Sequence, residues 1–440
     1  MPSLSPEILN VISMVLEESW RIFGLWWWIF LPFFIFPTFR DRYRFWIQTN
    51  WDATIPKVVL EMKLPKEVIK PIKAMEYVFA GFHAIHDVMT WREVWLEGQF
   101  QLAFTIEIVS FGGDVHFYIR CPERFKHTIE ANIYAQYAEV EITEVEDYTK
   151  NVPLDIPNKE WDVWGTEMIP AKPDYYPIKT YPKFEAEKET IEEKRIDPLA
   201  QLLEGMAALK AGEQLWLQLR LAPVLSEKAH LQWLESAMEG RDKLAKRPGK
   251  GGRNKPMVQE AFEIFLPGWD PESQKPKEAE LIPPEMKLTP GEKDIVQAIE
   301  EKLSKVGYNC NIRFLYLSPR EVHFRPRVQI PFSFFKSISA QNLNGLKPDK
   351  TKQTKVKSVP FWFMDERLLY LKKRRIFRNY VKRWHPIFPK VPRRLKDFYF
   401  LNIEELATIF HFPGRIVAPT PSLPRIEVKK GGAPPGLPVE

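Results

Sequence analysis

The chain has 440 residues, of which 45% are hydrophobic, and it carries a formal net charge of +6. That length allows two domains with packed cores, and so modest a charge neither demands nor excludes an anionic partner. Its two cysteines, Cys121 and Cys310, are too few for a disulfide framework or a cysteine zinc site, which favours a reducing compartment.

The N-terminal region predicts a membrane anchor. Residues 1–21 form an amphipathic pattern, and residues 22–39 are an uncharged, aromatic-rich run close to the length of a transmembrane helix. The basic flank after this run predicts a single-pass protein of the inner (cytoplasmic) membrane with a cytoplasmic C-terminal body, and the flank consists of Arg40, Arg42 and Arg44. Two alternatives stay open: Pro32 breaks the helix into a re-entrant or interfacial wedge, or the run is a buried core helix.

Residues 52–148 predict a ferredoxin-like domain. Its clearest signal is the alternating run 100–111, which the Gly112-Gly113-Asp114 turn joins to a returning strand. Helical patterns flank this hairpin, so the predicted order is β-α-β-β-α-β. The expected fold class is therefore α+β, with an N-terminal membrane helix followed by this ferredoxin-like domain and a second α+β domain.

The second domain is predicted at residues 197–335, after a Pro-rich connector at 149–196. It contains a basic loop insertion at 241–256. Thr289 and Glu292 form a capping-box signature at the start of a helix. No self-similarity of sequence shows that this domain repeats the first one.

Residues 336–399 predict a basic helical region in which aromatic side chains are interleaved with positive ones. This mixture suits contact with phosphates and stacking on bases, and it equally suits a solvated helix face, anionic lipid headgroups or an acidic protein. The candidate residues for contact with nucleic acid or lipid are Lys372, Lys373, Arg374, Arg375, Arg378, Lys382 and Arg383.

The sequence predicts no catalytic residue, no metal site and no cofactor. It contains no G-x-x-x-x-G-K-[ST] motif for binding the phosphates of a nucleotide. His83 and His86 are spaced for one face of a helix, but zinc takes four ligands. Glu107 lies in an alternating strand, where every second side chain is expected to face solvent, so it is not expected to act as an acid or base.

Residues 400–440 predict a terminal helix and a Pro-rich tail, with Asn402 as the helix N-cap. The run FLNIEELATIFHFP at 400–413 resembles the segment that leads into the motor domain of the conjugation-type ATPases of type IV secretion systems, which include TraC-like and HerA-like proteins. The membrane-proximal N-terminal portion of these ATPases is similar to further stretches of the chain, at 74–81, 107–120, 133–148 and 212–223 (GEQLWLQLRLAP).

The resemblance implies a membrane-anchored, non-catalytic component of a type IV secretion or conjugation-like system, which docks a separately encoded P-loop ATPase at the inner membrane. The alternative is a membrane-tethered nucleic-acid-binding protein that uses residues 368–384. The expected partners are the lipid bilayer and the secretion ATPase, with self-association and DNA as further candidates. By the resemblance, the residues that dock the partner are Glu405, Phe410, His411, Phe412 and Pro413.

Overall fold

The computed structural model describes most of the chain. The described residues divide into two compact units. Unit 1 contains residues 6–56 and 88–100, and unit 2 contains the rest. The described ranges are 6–65, 70–186, 197–224, 228–246, 288–356, 362–383, 398–414 and 425–426.

Unit 1 is built on one long helix, α1 (Pro6–Thr54). Near its C-terminal end the ring of Trp51 meets Phe100 edge-on, with 5.2 Å between the ring centroids. The Arg44 guanidinium lies 4.7 Å from the centroid of the Trp95 ring, a cation–π contact. These contacts fasten the segment 88–100 to the last turns of α1.

The prediction of a transmembrane helix is wrong. Among the described residues, no helix is both long enough and apolar enough to cross a membrane. The uncharged run 22–39 has only 18 residues where a bilayer needs about 20. It also contains two prolines and three tryptophans, whose indole N–H groups are polar, at Trp26, Trp27, Trp28, Pro32 and Pro37. The predicted single-pass placement in the inner membrane, with a cytoplasmic body, depends on that helix and is contradicted by the same finding.

Unit 2 is an α+β fold with a large, mostly antiparallel sheet. In the described part of the chain ten strands join this sheet, in the order β4-β1-β3-β2-β6-β7-β5-β8, with β10 beside the end of β1 and β9 beside the start of β7. The strands are β1 (Lys57–Pro65), β2 (Phe104–Phe111), β3 (Asp114–Pro122), β4 (Glu141–Val145), β5 (Trp161–Pro170), β6 (Gln214–Val224), β7 (Gly307–Pro319), β8 (Leu346–Pro348), β9 (Tyr399–Asn402) and β10 (Arg425–Ile426).

The helices of unit 2 complete two similar halves. The helices are α2 (Lys73–Phe82), α3 (Lys126–Gln136), α4 (Tyr181–Ala186), α5 (Ala200–Ala207), α6 (Lys228–Leu244), α7 (Pro290–Ser304), α8 (Gln329–Ser337), α9 (Asp365–Val381) and α10 (Ile403–Ile409). The first half runs β1-α2-β2-β3-α3-β4, and the second runs β5-α5-β6-β7-α8-β8 with α4, α6 and α7 as additional helices. In each half the spatial order of the four strands is fourth, first, third, second. The halves join because β2 pairs antiparallel with β6, with Phe104 opposite Leu221 and Phe111 opposite Gln214.

The two faces of the sheet are covered differently. On the first face, α2, α3, α5, α8 and α10 pack over alternate apolar side chains such as Ile106, Leu219 and Phe314. On the second face, α9 and the segment 148–156 cover a smaller apolar cluster around Trp216. The side chains that share this second face with the cluster are largely polar, and they form the candidate site below.

Strand β5 lies within the stretch that the sequence predicts as a connector. It pairs with β7 on one side and β8 on the other, so it is an internal strand of the sheet. A Cβ on Gly165 would lie 2.4 Å from the Leu315 side chain and 2.8 Å from the Phe314 carbonyl oxygen, so the close strand approach requires glycine there. The prolines and tryptophans around this strand are typical of a connector, so composition does not predict a strand there.

The terminal segment is part of the core of unit 2. β9 pairs antiparallel with β7, and α10 begins with a capping box in which Asn402 and Glu405 each bond the other's backbone N–H. After α10, Phe412 packs edge-on against Tyr137, with 4.9 Å between ring centroids. Most of the predicted basic loop, at 247–256, and most of the Pro-rich tail lie outside the described residues, as does Trp384.

Candidate functional site

The second face of the central strands carries a row of buried polar side chains. Because side chains alternate along a strand, Ile106 and Ile108 point to the helix-covered face, while Glu107 between them points to the other. Glu107 is 0% exposed. We call these side chains, with those that bond to them, the polar face: Thr105, Glu107, Asp147, Tyr148, Glu167, Gln218, Asn311, Arg313, Lys352, Tyr380 and Arg383.

Glu107 is the centre of the first cluster on the polar face. Its carboxylate accepts hydrogen bonds from the hydroxyls of Thr105 (2.9 Å) and Tyr148 (2.7 Å), and from the amide of Gln218 (2.8 Å). Arg383 adds two more, from Nε at 2.9 Å and Nη2 at 3.0 Å. Burial alone raises the pKa of Glu107, but the Arg383 charge and these hydrogen bonds outweigh it and hold the pKa below its usual value.

Arg383 ties the end of α9 to the first half of the sheet. It adopts a left-handed backbone with φ of 47°, just past the last turn of α9. Its guanidinium also binds the carboxylate of Asp147, with Nη2 donating to Oδ1 at 3.0 Å. The Tyr148 and Tyr380 hydroxyls lie 2.9 Å apart and add a second link between α9 and the sheet. A side chain held by two carboxylates fixes the helix in one orientation.

A second cluster on the polar face ties α9 to the middle of the sheet. Arg313 donates to the Asn311 side chain through Nε at 3.0 Å and to the backbone carbonyl of Asn379 in α9 at 2.7 Å. Glu167 lies 3.7 Å from Arg313 and accepts from Lys352 Nζ at 2.5 Å. Burial alone raises the pKa of Glu167, but the two cations outweigh it and lower the pKa.

The acceptor positions of the Glu107 carboxylate are filled by groups within unit 2. Five donors already fill the acceptor positions of Glu107, so no lone pair is left to take a proton from a substrate. The face is closed over by α9, since Phe377 and Tyr380 are buried against Trp216. Strand alternation predicts Glu107 at the solvent, and Glu107 is buried instead because α9 covers this face.

The basic residues predicted to contact nucleic acid or lipid do not share one environment. Arg383 is buried in the polar face, and Lys373 is half-buried with its Nζ 2.6 Å and 2.8 Å from the two carboxylate oxygens of Asp162. Lys372 is also half-buried. Four cations remain on the outside of α9 and its end, beside the exposed Tyr370 and Leu371. These four residues, called the α9 stripe below, are Arg374, Arg375, Arg378 and Lys382.

The residues predicted to dock a partner lie in the interior. Glu405 is 0% exposed and bonds Lys302 Nζ at 2.8 Å, while its pKa is raised by burial in spite of that cation. The Nε2 atom of His411 lies 2.9 Å from the Asp197 carboxylate. Phe410, Phe412 and Pro413 are buried as well, so these side chains are committed to contacts within unit 2.

The flanking arginines of the N-terminal region belong to unit 1. Arg40 lies 3.1 Å from the Asp41 carboxylate, and Arg44 stacks on Trp95 as described above. Arg42 is exposed on α1. Two of the three cations are therefore engaged by neighbours in unit 1.

Three histidines of unit 2, among them the predicted pair His83 and His86, have partners within the protein. A ring nitrogen of His83 lies 3.0 Å from the Val224 carbonyl oxygen, and its ring stacks on His86 at 6.2 Å between centroids. His116 pairs with Glu61 at 2.6 Å. Within the ranges that the structure describes, no group of three or more His, Cys, Asp or Glu residues is placed to hold a metal ion.

A family model covers nearly all of unit 2. A comparison with curated proteins finds no match. The family model matches residues 58–417, from the second residue of β1 to just beyond the terminal helix α10. The chain therefore belongs to the family described as domain of unknown function (DUF8128).

Proposed function

We propose that this chain is a non-catalytic component of a type IV secretion or conjugation-like machine that docks a separately encoded P-loop ATPase. Two features support the proposal. The sequence resembles the N-terminal portion of such ATPases over several stretches, and it contains no P-loop motif of its own. The buried charges of the polar face are paired with one another inside unit 2, as expected of a scaffold.

The observation that carries the proposal is the position of the terminal segment. The run that resembles the leader of the motor domain is folded into unit 2 as β9 and α10. In a protein with the motor fused after this point, the motor would face the surface around α10. A separately encoded ATPase is expected to use that same surface.

Helices α2 and α3 border this surface. Lys305 Nζ bridges Glu76 of α2 (2.8 Å) and Glu404 of α10 (2.5 Å), and Phe412 packs against Tyr137 just after α3. Tyr77 on α2 is 57% exposed and Tyr134 on α3 is 41% exposed. Exposed aromatic side chains are the common anchors of protein interfaces, so these two tyrosines are the expected contacts.

The test uses isothermal titration calorimetry to measure binding of the full chain to a P-loop ATPase. This ATPase is encoded in the same genome and resembles the conjugation motors. Replacing both tyrosines, in the variant Y77A/Y134A, is expected to weaken binding at least tenfold, since each buried aromatic anchor contributes about 1–2 kcal/mol. The matched control is Y370A, because Tyr370 is also 41% exposed but lies on α9. No binding by the unaltered chain, or equal losses in both variants, would reject the proposal.

A second candidate function is nucleic-acid binding by the α9 stripe. The observation in its favour is that four cations lie on the outside of α9 and its end, beside the exposed ring of Tyr370. Neutralising phosphates with such cations makes affinity fall steeply with salt. The variant R374E/R375E/R378E leaves the Lys373–Asp162 pair intact, and it is expected to abolish salt-dependent binding of a labelled DNA duplex while ATPase binding persists.

A further inference from the structure

The outer surface of α1 is apolar over most of its length. Large side chains from Met14 to Phe39 that the structure describes are about half to three-quarters exposed, and Trp20 is 77% exposed. Exposed apolar surface of this extent marks an interaction site, because leaving it in water is costly. The charges along the helix indicate which partner covers this surface.

One side of α1 has large apolar residues at its centre and charged residues towards both ends. Positions separated alternately by four and three residues fall on one side of a helix, which is the a and d pattern of two packed helices. The positions with this spacing in α1, called the seam below, are symmetric about the midpoint between residues 29 and 30. In an antiparallel pair of helices, position 17 therefore lies opposite position 42, position 21 opposite 38, and position 24 opposite 35. The seam positions are Glu17, Arg21, Gly24, Trp28, Leu31, Ile35, Thr38 and Arg42.

The charges at the two ends of the seam are opposite. At the N-terminal end Glu17 and Glu18 outnumber Arg21, and at the C-terminal end Arg40, Arg42 and Arg44 outnumber Asp41, with the uncharged run 22–39 between them. A parallel pair of α1 helices would place like charges against each other at both ends. An antiparallel pair places Glu17 of each copy beside Arg42 of the other, and the uncharged runs then cover each other.

Gly24 supports the same arrangement independently. A Cβ built on Gly24 meets nothing within 4 Å, so no contact among the described residues requires glycine there. Glycine inside a helix costs about 0.5–1 kcal/mol relative to alanine. In the antiparallel register Gly24 lies opposite Ile35 of the second copy, where a small residue facing a large one lets the two backbones approach.

We propose that α1 pairs with α1 of a second copy of this chain in an antiparallel, two-fold symmetric coiled coil spanning residues 17–42. The contact is isologous, so the same seam is used twice and the assembly closes as a dimer. The 26 residues of the seam extend over roughly 39 Å of helix at 1.5 Å per residue. Trp20 and Phe39 flank the seam at symmetric positions and widen the contact. This proposal is independent of ATPase docking.

Charge exchange in the full chain tests the pairing. Sedimentation equilibrium is expected to show a dimer, and E17R and R42E are each expected to weaken it at least tenfold, because each places like charges together twice. The double variant E17R/R42E restores opposite charges at both ends and is expected to recover the dimer. In a parallel pair the double variant would recover nothing, and that result would overturn the proposal.

Cysteine crosslinking tests the register. Mixed under oxidising conditions, R21C and T38C chains are expected to form a disulfide between residue 21 of one copy and residue 38 of the other, because these two seam positions face each other in the antiparallel register. The native Cys121 and Cys310 are both buried, and burial raises the pKa of Cys121 to about 12, which keeps it out of the reaction. The control is R21C with T49C, since residue 49 is eleven residues, or about 16 Å, beyond the register.

The remaining outcomes are equally decisive. G24L is expected to weaken the dimer at least tenfold although leucine favours an isolated helix, because its side chain collides with the second helix. Crosslinks only between two copies of R21C would indicate a parallel pair. A chain that stays monomeric, or that is monomeric and floats with phospholipid vesicles, would show that another surface covers α1. Each of these last results rejects the proposal.

Discussion

Arg383 neutralises two carboxylates that lie on different elements of unit 2. Glu107 belongs to β2, Asp147 follows β4, and Arg383 itself ends α9. Such a buried ion pair adds little net stability over an apolar replacement, because both charges lose their hydration. Removing one partner alone is different, since it strands the others without a counter-charge. The cluster therefore specifies where α9 docks more than it adds to the free energy of unfolding.

The first prediction concerns this residue. Replacing Arg383 by methionine is expected to lower the free energy of unfolding by about 3–5 kcal/mol, because Glu107 is left charged in the interior. The measurement is urea denaturation followed by circular dichroism. R378M on the exposed side of α9 is the matched control, with an expected change within about 0.5 kcal/mol. A similar change in both variants would contradict the role given to the polar face.

The second prediction is a loss of stability in acid. The pKa values of Glu107, Asp147 and Glu167 are lower in the folded chain than the ordinary 4.5 for Glu and 3.8 for Asp, since nearby cations outweigh burial. A lowered folded pKa gives stability that is complete above the ordinary pKa and is lost as the pH falls through the folded pKa. The urea midpoint is therefore expected to fall steeply below about pH 4.

The R383M variant provides the check on that assignment. Without Arg383 the carboxyls of Glu107 and Asp147 lose the cation that lowers their pKa values, so the acid dependence is expected to be shallower. Glu405 has the opposite effect, because burial raises its pKa in the folded chain. Its contribution to the free energy of unfolding therefore decreases as the pH rises above the ordinary value of 4.5. An R383M chain with the same acid dependence as the unaltered chain would assign the effect to other carboxylates.

At the scale of elements, the β2–β3 hairpin shows how local chemistry fixes a turn. Gly112 and Gly113 have φ of 59° and 105°, a region that residues with a Cβ rarely adopt. A Cβ on Gly113 would lie 2.8 Å from the Ala207 carbonyl oxygen, so the end of α5 also closes on this turn. The hairpin thus depends on glycine both for its own shape and for its packing.

The third prediction follows from this turn. G113A is expected to destabilise unit 2 by about 1–3 kcal/mol, through backbone strain and collision with the backbone of α5. G291A is the matched control, because a Cβ on Gly291 in the first turn of α7 meets nothing within 4 Å, and it is expected to be neutral or slightly stabilising. Differential scanning calorimetry on both variants measures the effect, and equal melting temperatures would refute it.

At the scale of the whole molecule, the family match and the two compact units agree on one boundary. Unit 2 begins at Lys57, and the family model begins at residue 58 and ends at 417, just after the terminal segment enters the core. The core of unit 2 draws on both halves of the sheet, which are joined through the β2–β6 pairing. This continuity indicates that unit 2 folds as a single cooperative body.

The fourth prediction tests that boundary. A fragment of residues 57–417 is expected to unfold in one cooperative transition in urea, with the same midpoint by circular dichroism and by tryptophan fluorescence. It is also expected to sediment as a monomer, because it lacks α1. Two separate transitions would show that the halves of the sheet fold independently, and a dimeric fragment would place self-association in unit 2.

The sequence by itself determined the features that depend on neighbouring residues. The Gly112-Gly113 turn and its flanking strands, and the helix caps at Thr289 and Asn402, are all found where local chemistry predicts them. The α+β class follows from the same local patterns. These features need only a few consecutive residues, so their cause is visible in the chain itself.

Only the tertiary structure decided what depends on distant pairing. The β2–β6 contact joins residues more than a hundred positions apart, and no local pattern specifies that two halves share one sheet. Glu107 is buried because α9, over 250 residues later, covers its face, so alternation alone placed it wrongly at the solvent. The uncharged run 22–39 predicts a membrane span, but no helix among the described residues is long and apolar enough to cross a membrane. Burial is set by whichever element packs above a residue, and that is a property of the fold.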